Sequence, residues 1–212
     1  MGYPAINERA LVLRITSSGE SFNKIDILTP ESGSILCLKR ISKKNPLGSI
    51  PDLFDTADVH LESSGQETVR FVKEYQMIQR RGQIGKSYHA LCHASEICSL
   101  IAHNGPYLAN TVNLYRITER ALNAFAEQKT PSIVLLKALY MLLKEEGYPI
   151  REAWWPQLSE PIRKSASQLI NTPAPESASA ELVRICTDIN QNLLNWLSCE
   201  TDLVLPTKQQ GK

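Results

Sequence analysis

Residues 10–44 read ALVLRITSSGESFNKIDILTPESGSILCLKRISKK, and this stretch decides the fold. Apolar and mixed positions alternate along residues 11–16, as a strand with one buried face requires. Turn residues follow at 17–20 and again at 29–33, where Gly and Pro favour tight reversals of the chain. The stretch therefore predicts three consecutive strands joined by two hairpin turns, near residues 11–16, 22–28 and 35–39.

Two further strands are predicted before residue 80. Ala57, Val59 and Leu61 alternate with polar residues, which is the pattern of a half-buried strand. A turn at residues 63–66 then leads to an apolar segment over residues 67–75. Five short antiparallel strands in about 70 residues predict a small closed barrel of the OB type, with an open five-stranded sheet as the alternative.

The hydrophobic period becomes helical from residue 80 onward. The clearest helix is predicted over residues 131–146, with Thr130 as its N-cap, Pro131 in its first position and Gly147 just past its end. Because this segment is apolar nearly all round, we expect a central helix that neighbours bury on several sides. The other helices are predicted near residues 84–102, 107–126, 158–170 and 180–198.

These patterns together predict an α+β protein with two domains. An N-terminal five-stranded OB-like β-barrel is expected over residues 1–80, and an all-helical domain over residues 81–206. Residues 207–212 are expected to form a disordered tail.

Composition indicates a globular protein with little overall charge. Of the 212 residues 42% are hydrophobic, and 23 Lys and Arg offset 22 Asp and Glu to give a net charge of +1. A nucleic acid would therefore have to be recognised by local rather than global positive charge. Neither a secretory leader nor a membrane-spanning apolar run is visible, so we expect a cytoplasmic protein. Reduced core thiols are predicted from an odd number of cysteines at apolar positions, Cys37, Cys92, Cys98, Cys186 and Cys199.

The strongest local charge follows the third predicted strand. Lys39, Arg40, Lys43 and Lys44 stand together with no acidic residue among them. Such a run is commonly a solvated loop, and binding of nucleic-acid phosphates is the alternative.

The order of these segments resembles the N-terminal domain of the RecO family of recombination and repair proteins. The similarity lies in ALVL from Ala10, GES from Gly19, LTPESG from Leu28 and the apolar strand that leads to the basic loop. DLFDTADVHL from Asp52 fits the next barrel strand, and the helical part fits in pattern. The resemblance implies a protein that binds single- and double-stranded DNA and anneals complementary strands. It also implies RecR as a partner in loading RecA onto DNA coated by single-stranded DNA-binding protein.

The resemblance raises the expectation that the cations near the barrel groove bind DNA, because OB barrels bind single strands with cations and aromatic side chains. The candidate DNA-binding residues are Arg14, Lys24, Lys39, Arg40, Lys43, Lys44, Arg80 and Arg81. Phe22 could stack a base, but Phe22, Phe54 and Phe71 are each interpreted as core residues.

The sequence carries no motif for catalysis or for a cofactor. The patterns GxxxxGK[ST], GxGxxG and GxSxG are all absent, which favours a binding protein that is not an enzyme. The main alternative is a protein-interaction adaptor of the same fold that has lost DNA binding. A metal hydrolase is a distant third hypothesis, because His89, His93 and Glu96 fall on neighbouring turns of one helix but lack the HExxH pattern.

Zinc content is the first testable prediction. Many RecO proteins carry a four-cysteine zinc module after the central helix, whereas this chain has no cysteine between Gly147 and Cys186. We therefore expect purified protein to contain no stoichiometric zinc, and chelators to leave its melting temperature unchanged. One zinc per chain by atomic emission would contradict this expectation.

Overall fold

The computed structural model describes residues 5–41, 50–63 and 69–205. Its strands are β1 (Ile6–Ser18), β2 (Phe22–Thr29), β3 (Gly33–Arg40), β4 (Thr56–Ser63) and β5 (Arg70–Gln79). Its α-helices are α1 (Tyr88–Asn104), α2 (Thr111–Ala126), α3 (Pro131–Glu145), α4 (Glu160–Asn171) and α5 (Ala180–Glu200). Within these residues all strands precede residue 80 and all helices follow it, so the predicted α+β class is confirmed.

The five strands form a closed barrel in the order β1-β2-β3-β5-β4, with β4 returning to β1. All neighbours are antiparallel except β3 and β5, which run parallel and share two register pairs within the described parts of the chain. The prediction of a five-stranded OB-like barrel is confirmed, whereas the expectation of purely antiparallel strands is wrong at this one pair. The parallel direction follows from the other pairs. Strands β2 and β4 are both antiparallel to β1, so β3, which is antiparallel to β2, and β5, which is antiparallel to β4, both run in the direction of β1.

Alternation along the strands fills the barrel interior, as the sequence predicted. The core consists of Ala10, Val12, Ile25, Ile27, Cys37, Ala57, Val59, Leu61, Val72 and Tyr75. Burial raises the pKa of the Cys37 thiol to about 12, so this cysteine is an inert core residue. Cys98 and Cys186 are also buried, but Cys92 and Cys199 are exposed, so the expectation of core positions is wrong for these two.

Two glycines close the predicted hairpins by adopting positive φ. Gly19 (φ 68°) lies between β1 and β2, and Gly33 (φ 72°) begins β3. A Cβ atom on Gly33 would lie 2.9 Å from the Thr111 methyl group, so a side chain is excluded by contact as well as by conformation. The Thr111 hydroxyl donates to the Pro30 carbonyl at 2.8 Å. This turn is thereby fastened to the first residue of α2.

Contacts divide the chain into two compact units. The first holds the described residues up to Arg81 together with residues 105–116, and the second holds residues 82–104 and those from Ile117 onward. The domain limits drawn from sequence at residues 80 and 206 stay predictions. The tail predicted over residues 207–212 lies outside the described residues.

Helix α3 is the centre of the second unit, as its apolar sequence predicted. It packs against α1, α4 and α5. Pro131 occupies its first turn and Gly147 follows its end with φ 80°. Thr130 stands at the N-cap position but makes no capping bond; its hydroxyl instead donates to the Pro175 carbonyl at 3.0 Å. Lys137 donates to the carbonyls at the end of α4, including that of Thr172 at 2.8 Å.

A buried carboxylate, Asp55, joins three segments at one end of the barrel. It is fully buried and accepts hydrogen bonds from the Tyr75 hydroxyl at 2.9 Å and from the Arg80 guanidinium at 3.1 and 2.9 Å. The Asp52 amide donates to the same carboxylate at 3.1 Å. Phe54, beside it, adopts φ 67° and bonds to Val12 of β1. The network therefore ties β1, the segment before β4 and the end of β5 together.

Replacing Asp55 by Ala should destabilise the barrel strongly. The change leaves the Tyr75 hydroxyl and the Arg80 guanidinium without their carboxylate, and breaking a buried ion pair in this way costs about 3 kcal/mol of unfolding free energy or more. Urea denaturation would measure it. Asp58→Ala is the matched control, because Asp58 pairs with Arg9 at 3.3 Å on the surface with both side chains more than half exposed. We expect the control to cost less than about 1 kcal/mol, and equal losses in the two variants would refute the role of Asp55.

Candidate nucleic-acid interface

An open groove of about 410 Å³ runs along the outside of the barrel where β2, β3 and β5 meet. We call it the phosphate groove, and it is lined by Phe22, Leu38, Lys39, Arg40, Phe71, Val72 and Lys73. The register explains why these residues meet. Phe22 is paired with Arg40 across β2 and β3, and Leu38 is paired with Phe71 across β3 and β5.

Two phenylalanines form the aromatic part of the phosphate groove. The rings of Phe22 and Phe71 lie 6.1 Å apart, edge to face at 69°. Both are only partly buried, so the interpretation of these two as core residues is wrong. It is confirmed for Phe54, which is 4% exposed. The alternation of inward and outward side chains along β2 predicts an outward position for Phe22, because Phe22 is three residues before the buried Ile25.

Three cations lie beside these rings. Lys39 is partly buried, and this burial lowers its pKa from the ordinary value. Arg40 is exposed at the end of β3. Lys73, which the sequence analysis missed, is exposed and lies 3.4 Å from Glu62 in a surface ion pair. A bulge at this part of β5 shifts its register against β4, and no local signal in the sequence marks that shift.

Lys24 and Arg14 lie on the outer face of the same sheet but do not line the phosphate groove. Lys24 is exposed and pairs across the sheet with Leu38. Arg14 donates to the Asp26 carboxylate at 2.7 Å, and Asp26 is largely buried. Arg14 is therefore held in an ion pair within the sheet.

Arg80 and Arg81 have structural roles in this unit. Arg80 binds the buried Asp55 carboxylate and the Ile50 carbonyl. Arg81 is only 2% exposed and donates to the Phe54 carbonyl at 2.6 Å and to the Thr56 hydroxyl at 2.9 Å. The structure thus does not bring these two together with the groove cations. Lys43 and Lys44 lie outside the described residues.

His89 and His93, the histidine pair of α1, contact residues of their own helix. His93 lies 3.3 Å from Glu96 through Nδ1, and the His89 ring packs against Tyr88 at 5.8 Å. Among the residues that the structure describes, no group of three or more His, Cys, Asp or Glu side chains is arranged to hold a metal ion.

The second unit carries a separate groove, which is mainly apolar and has a volume of about 430 Å³. Its apolar wall includes Ile117, Val134 and Met141, and its rim carries Arg120 and Lys137. Burial lowers the pKa of Lys137. The Lys137 ammonium already donates to the carbonyls at the end of α4. Its role is therefore to hold the wall of this groove in place rather than to bind a ligand.

The phosphate groove combines the two chemistries that a single strand of nucleic acid requires. Exposed ammonium and guanidinium groups bind phosphates, and partly exposed aromatic rings stack with bases. Stacking of this kind tolerates any base, because each base has a π face. The groove is therefore a candidate binding site for an unpaired strand.

Comparisons with known proteins add no assignment: no family model matches the chain, and no curated protein matches it. Along the described parts of the chain, no helix combines the length and the apolar character needed to cross a bilayer.

Proposed function

We propose that this protein is a DNA-binding protein that acts in recombinational repair and is not an enzyme. The observation that carries the proposal is the phosphate groove, where Phe22 and Phe71 stand beside Lys39, Arg40 and Lys73 on an OB-like barrel. Barrels of this architecture bind oligonucleotides on the face of strands 2 and 3. The groove lies on that face.

The resemblance to the RecO family supplies the biological role in this proposal. The protein would bind single- and double-stranded DNA and anneal complementary strands. With RecR it would load RecA onto DNA coated by single-stranded DNA-binding protein. These partners follow from the resemblance and belong to the proposal, as does the cytoplasmic location expected from the sequence.

A protein-interaction adaptor is the second candidate function. The mainly apolar groove of the second unit favours it, because apolar clefts with a few polar groups at the rim are typical of binding sites. The internal roles of Arg14, Arg80 and Arg81 also leave fewer cations for DNA. Wild-type protein that binds no oligonucleotide would favour the adaptor.

Removing two groove cations should weaken DNA binding and reduce its dependence on salt. Each phosphate contact contributes about 0.7 to the slope of log K against log salt for a single strand, so Arg40→Ala with Lys73→Ala should lower that slope by about 1.4. Fluorescence anisotropy of a labelled oligonucleotide at several salt concentrations measures it.

The matched control removes the same charge elsewhere. Arg9 of β1 and Arg184 of α5 are exposed and do not line the groove, so their double Ala variant should keep the wild-type slope. If both double variants lose the same slope, the groove is not the DNA site. The same conclusion follows if neither variant loses any.

The aromatic part of the groove has its own test. Phe71→Leu keeps an apolar side chain but removes the stacking surface, and loss of one stacked base should weaken binding by about tenfold. Phe71→Trp keeps a π face and should bind as the wild type does. Urea denaturation would verify that both variants remain folded. Equal affinity of the Leu and Trp variants would exclude stacking on Phe71.

A further inference from the structure

An acidic residue, Glu62 of β4, borders the phosphate groove. Its register partner on β5 is Phe71, which is in turn paired with Leu38 of β3. Residues paired across neighbouring strands share one face of the sheet, so the exposed Glu62 stands beside Phe71 on the outer face of the barrel. A carboxylate in this position repels the phosphates of a bound strand unless its charge is neutralised. The neighbours of Glu62 therefore affect how strongly the groove can bind DNA.

Each oxygen of the Glu62 carboxylate has its own partner. Glu62 Oε2 lies 3.4 Å from the ammonium of Lys73, which lines the phosphate groove, and Glu62 Oε1 lies 3.2 Å from His60 Nε2. The hydrogen bond with His60 is the main reason that the pKa of Glu62 lies below its ordinary value, so Glu62 carries its charge at neutral pH. This charge offsets that of Lys73, one of the three cations of the groove.

The ring of His60 lies between two oxygen atoms. Its Nε2 atom faces Glu62, and its Nδ1 atom lies 2.6 Å from the side-chain oxygen of Asn7. A neutral imidazole has one N–H group and can donate to only one of these oxygens, whereas an imidazolium donates to both. The protonated ring thus satisfies both oxygens at once, and it brings a positive charge to the Glu62 carboxylate.

Other charged side chains surround His60 on the outer face. Asp58 is on the same strand, Glu74 is opposite His60 on β5, and Glu8 and Arg9 come from β1. Arg9 is paired with Asp58 at 3.3 Å, and the turn after β2 binds the Glu8 carboxylate. Histidine is the side chain that ordinarily changes its charge between about pH 5 and pH 8. Within the described part of this surface, a fall in pH across that range therefore acts through His60.

We propose that His60 makes the DNA affinity of the phosphate groove depend on pH, and that it does so through Glu62. When the ring is neutral, the Glu62 carboxylate offsets the charge of Lys73. When the ring is protonated, the imidazolium neutralises Glu62, and the charge of Lys73 is left to act on a phosphate. The inference rests on the proposed function, because the groove must bind DNA for its affinity to vary in this way.

The first experiment compares two histidine variants with the wild type by fluorescence anisotropy of a labelled oligo-dT. The wild type should bind about threefold more tightly at pH 6 than at pH 8, because one exposed ion pair has an effect of about this size. His60→Gln keeps a polar side chain next to Asn7 but gains no charge, so it should bind equally at both pH values. His89→Gln is the matched control, because it removes an exposed histidine of α1, and it should keep the wild-type gain.

Glu62→Gln tests whether His60 acts through the carboxylate. The change keeps the shape of the side chain but removes the charge that offsets Lys73. The variant should therefore bind about threefold more tightly than the wild type at pH 8 and gain nothing more at pH 6. Titrations in about 0.15 M salt screen attraction between more distant charges. Circular dichroism at both pH values would verify that each variant remains folded.

Each failure has a distinct meaning. Wild-type protein that binds oligo-dT equally at both pH values overturns this inference and leaves the proposed function in place. A gain at pH 6 that survives in His60→Gln overturns the role of His60. A gain that survives in Glu62→Gln shows that the ring attracts phosphates directly, and this also overturns the inference. Wild-type protein that binds no oligonucleotide at either pH overturns the inference and the proposed function together.

Discussion

The carboxylate of Asp55, a charge that is fully removed from water, holds β1, the start of β4 and the end of β5 together at one end of the barrel. Burial of a charge is unfavourable unless it is paired and hydrogen-bonded. Here the Arg80 guanidinium neutralises the charge, while the Tyr75 hydroxyl and the Asp52 amide satisfy the remaining acceptor positions. The carboxylate in turn raises the pKa of Arg80, chiefly through the hydrogen bond between them. All of these contacts are made at once only when Asp52, Tyr75 and Arg80 surround Asp55. They therefore fix the position of the start of β4 relative to the end of β5.

The far end of the same two strands carries groove residues, and the β4–β5 ladder shifts its register at two places before it reaches Phe71. The antiparallel register of β4 and β5 runs from Thr56 opposite Gln79 to Ser63 opposite Arg70. A slip by one residue would exchange the inner and outer faces of β5. Val72 would then leave the core, and Phe71 would leave the face it shares with Leu38. The β4–β5 register thus decides which residues of β5 line the phosphate groove.

The sequence contains most of what specifies the strands, because alternation and turn chemistry are local. Gly19 and Gly33 have the positive φ that their turns require, and α3 is the buried centre of the second unit. The roles of Arg80 and Arg81 could not be read locally, since their partners Asp55 and Phe54 are more than 20 residues away in the chain. A cation beside a predicted groove looks the same in sequence whether it binds a phosphate or an internal carboxylate.

The position of Phe71 and Lys73 beside the end of β3 depends on the junction between β3 and β5, which forms only when the barrel closes. Among the residues that the structure describes, two register pairs join these strands. A longer ladder would pair the backbone along the whole junction and bring side chains together over its length. The short ladder instead leaves an open groove on each side of the paired residues. With a net charge of only +1, the protein cannot attract DNA through its overall charge. Any affinity must come from cations and aromatic rings gathered at one place, and the incompletely paired junction is what gathers them.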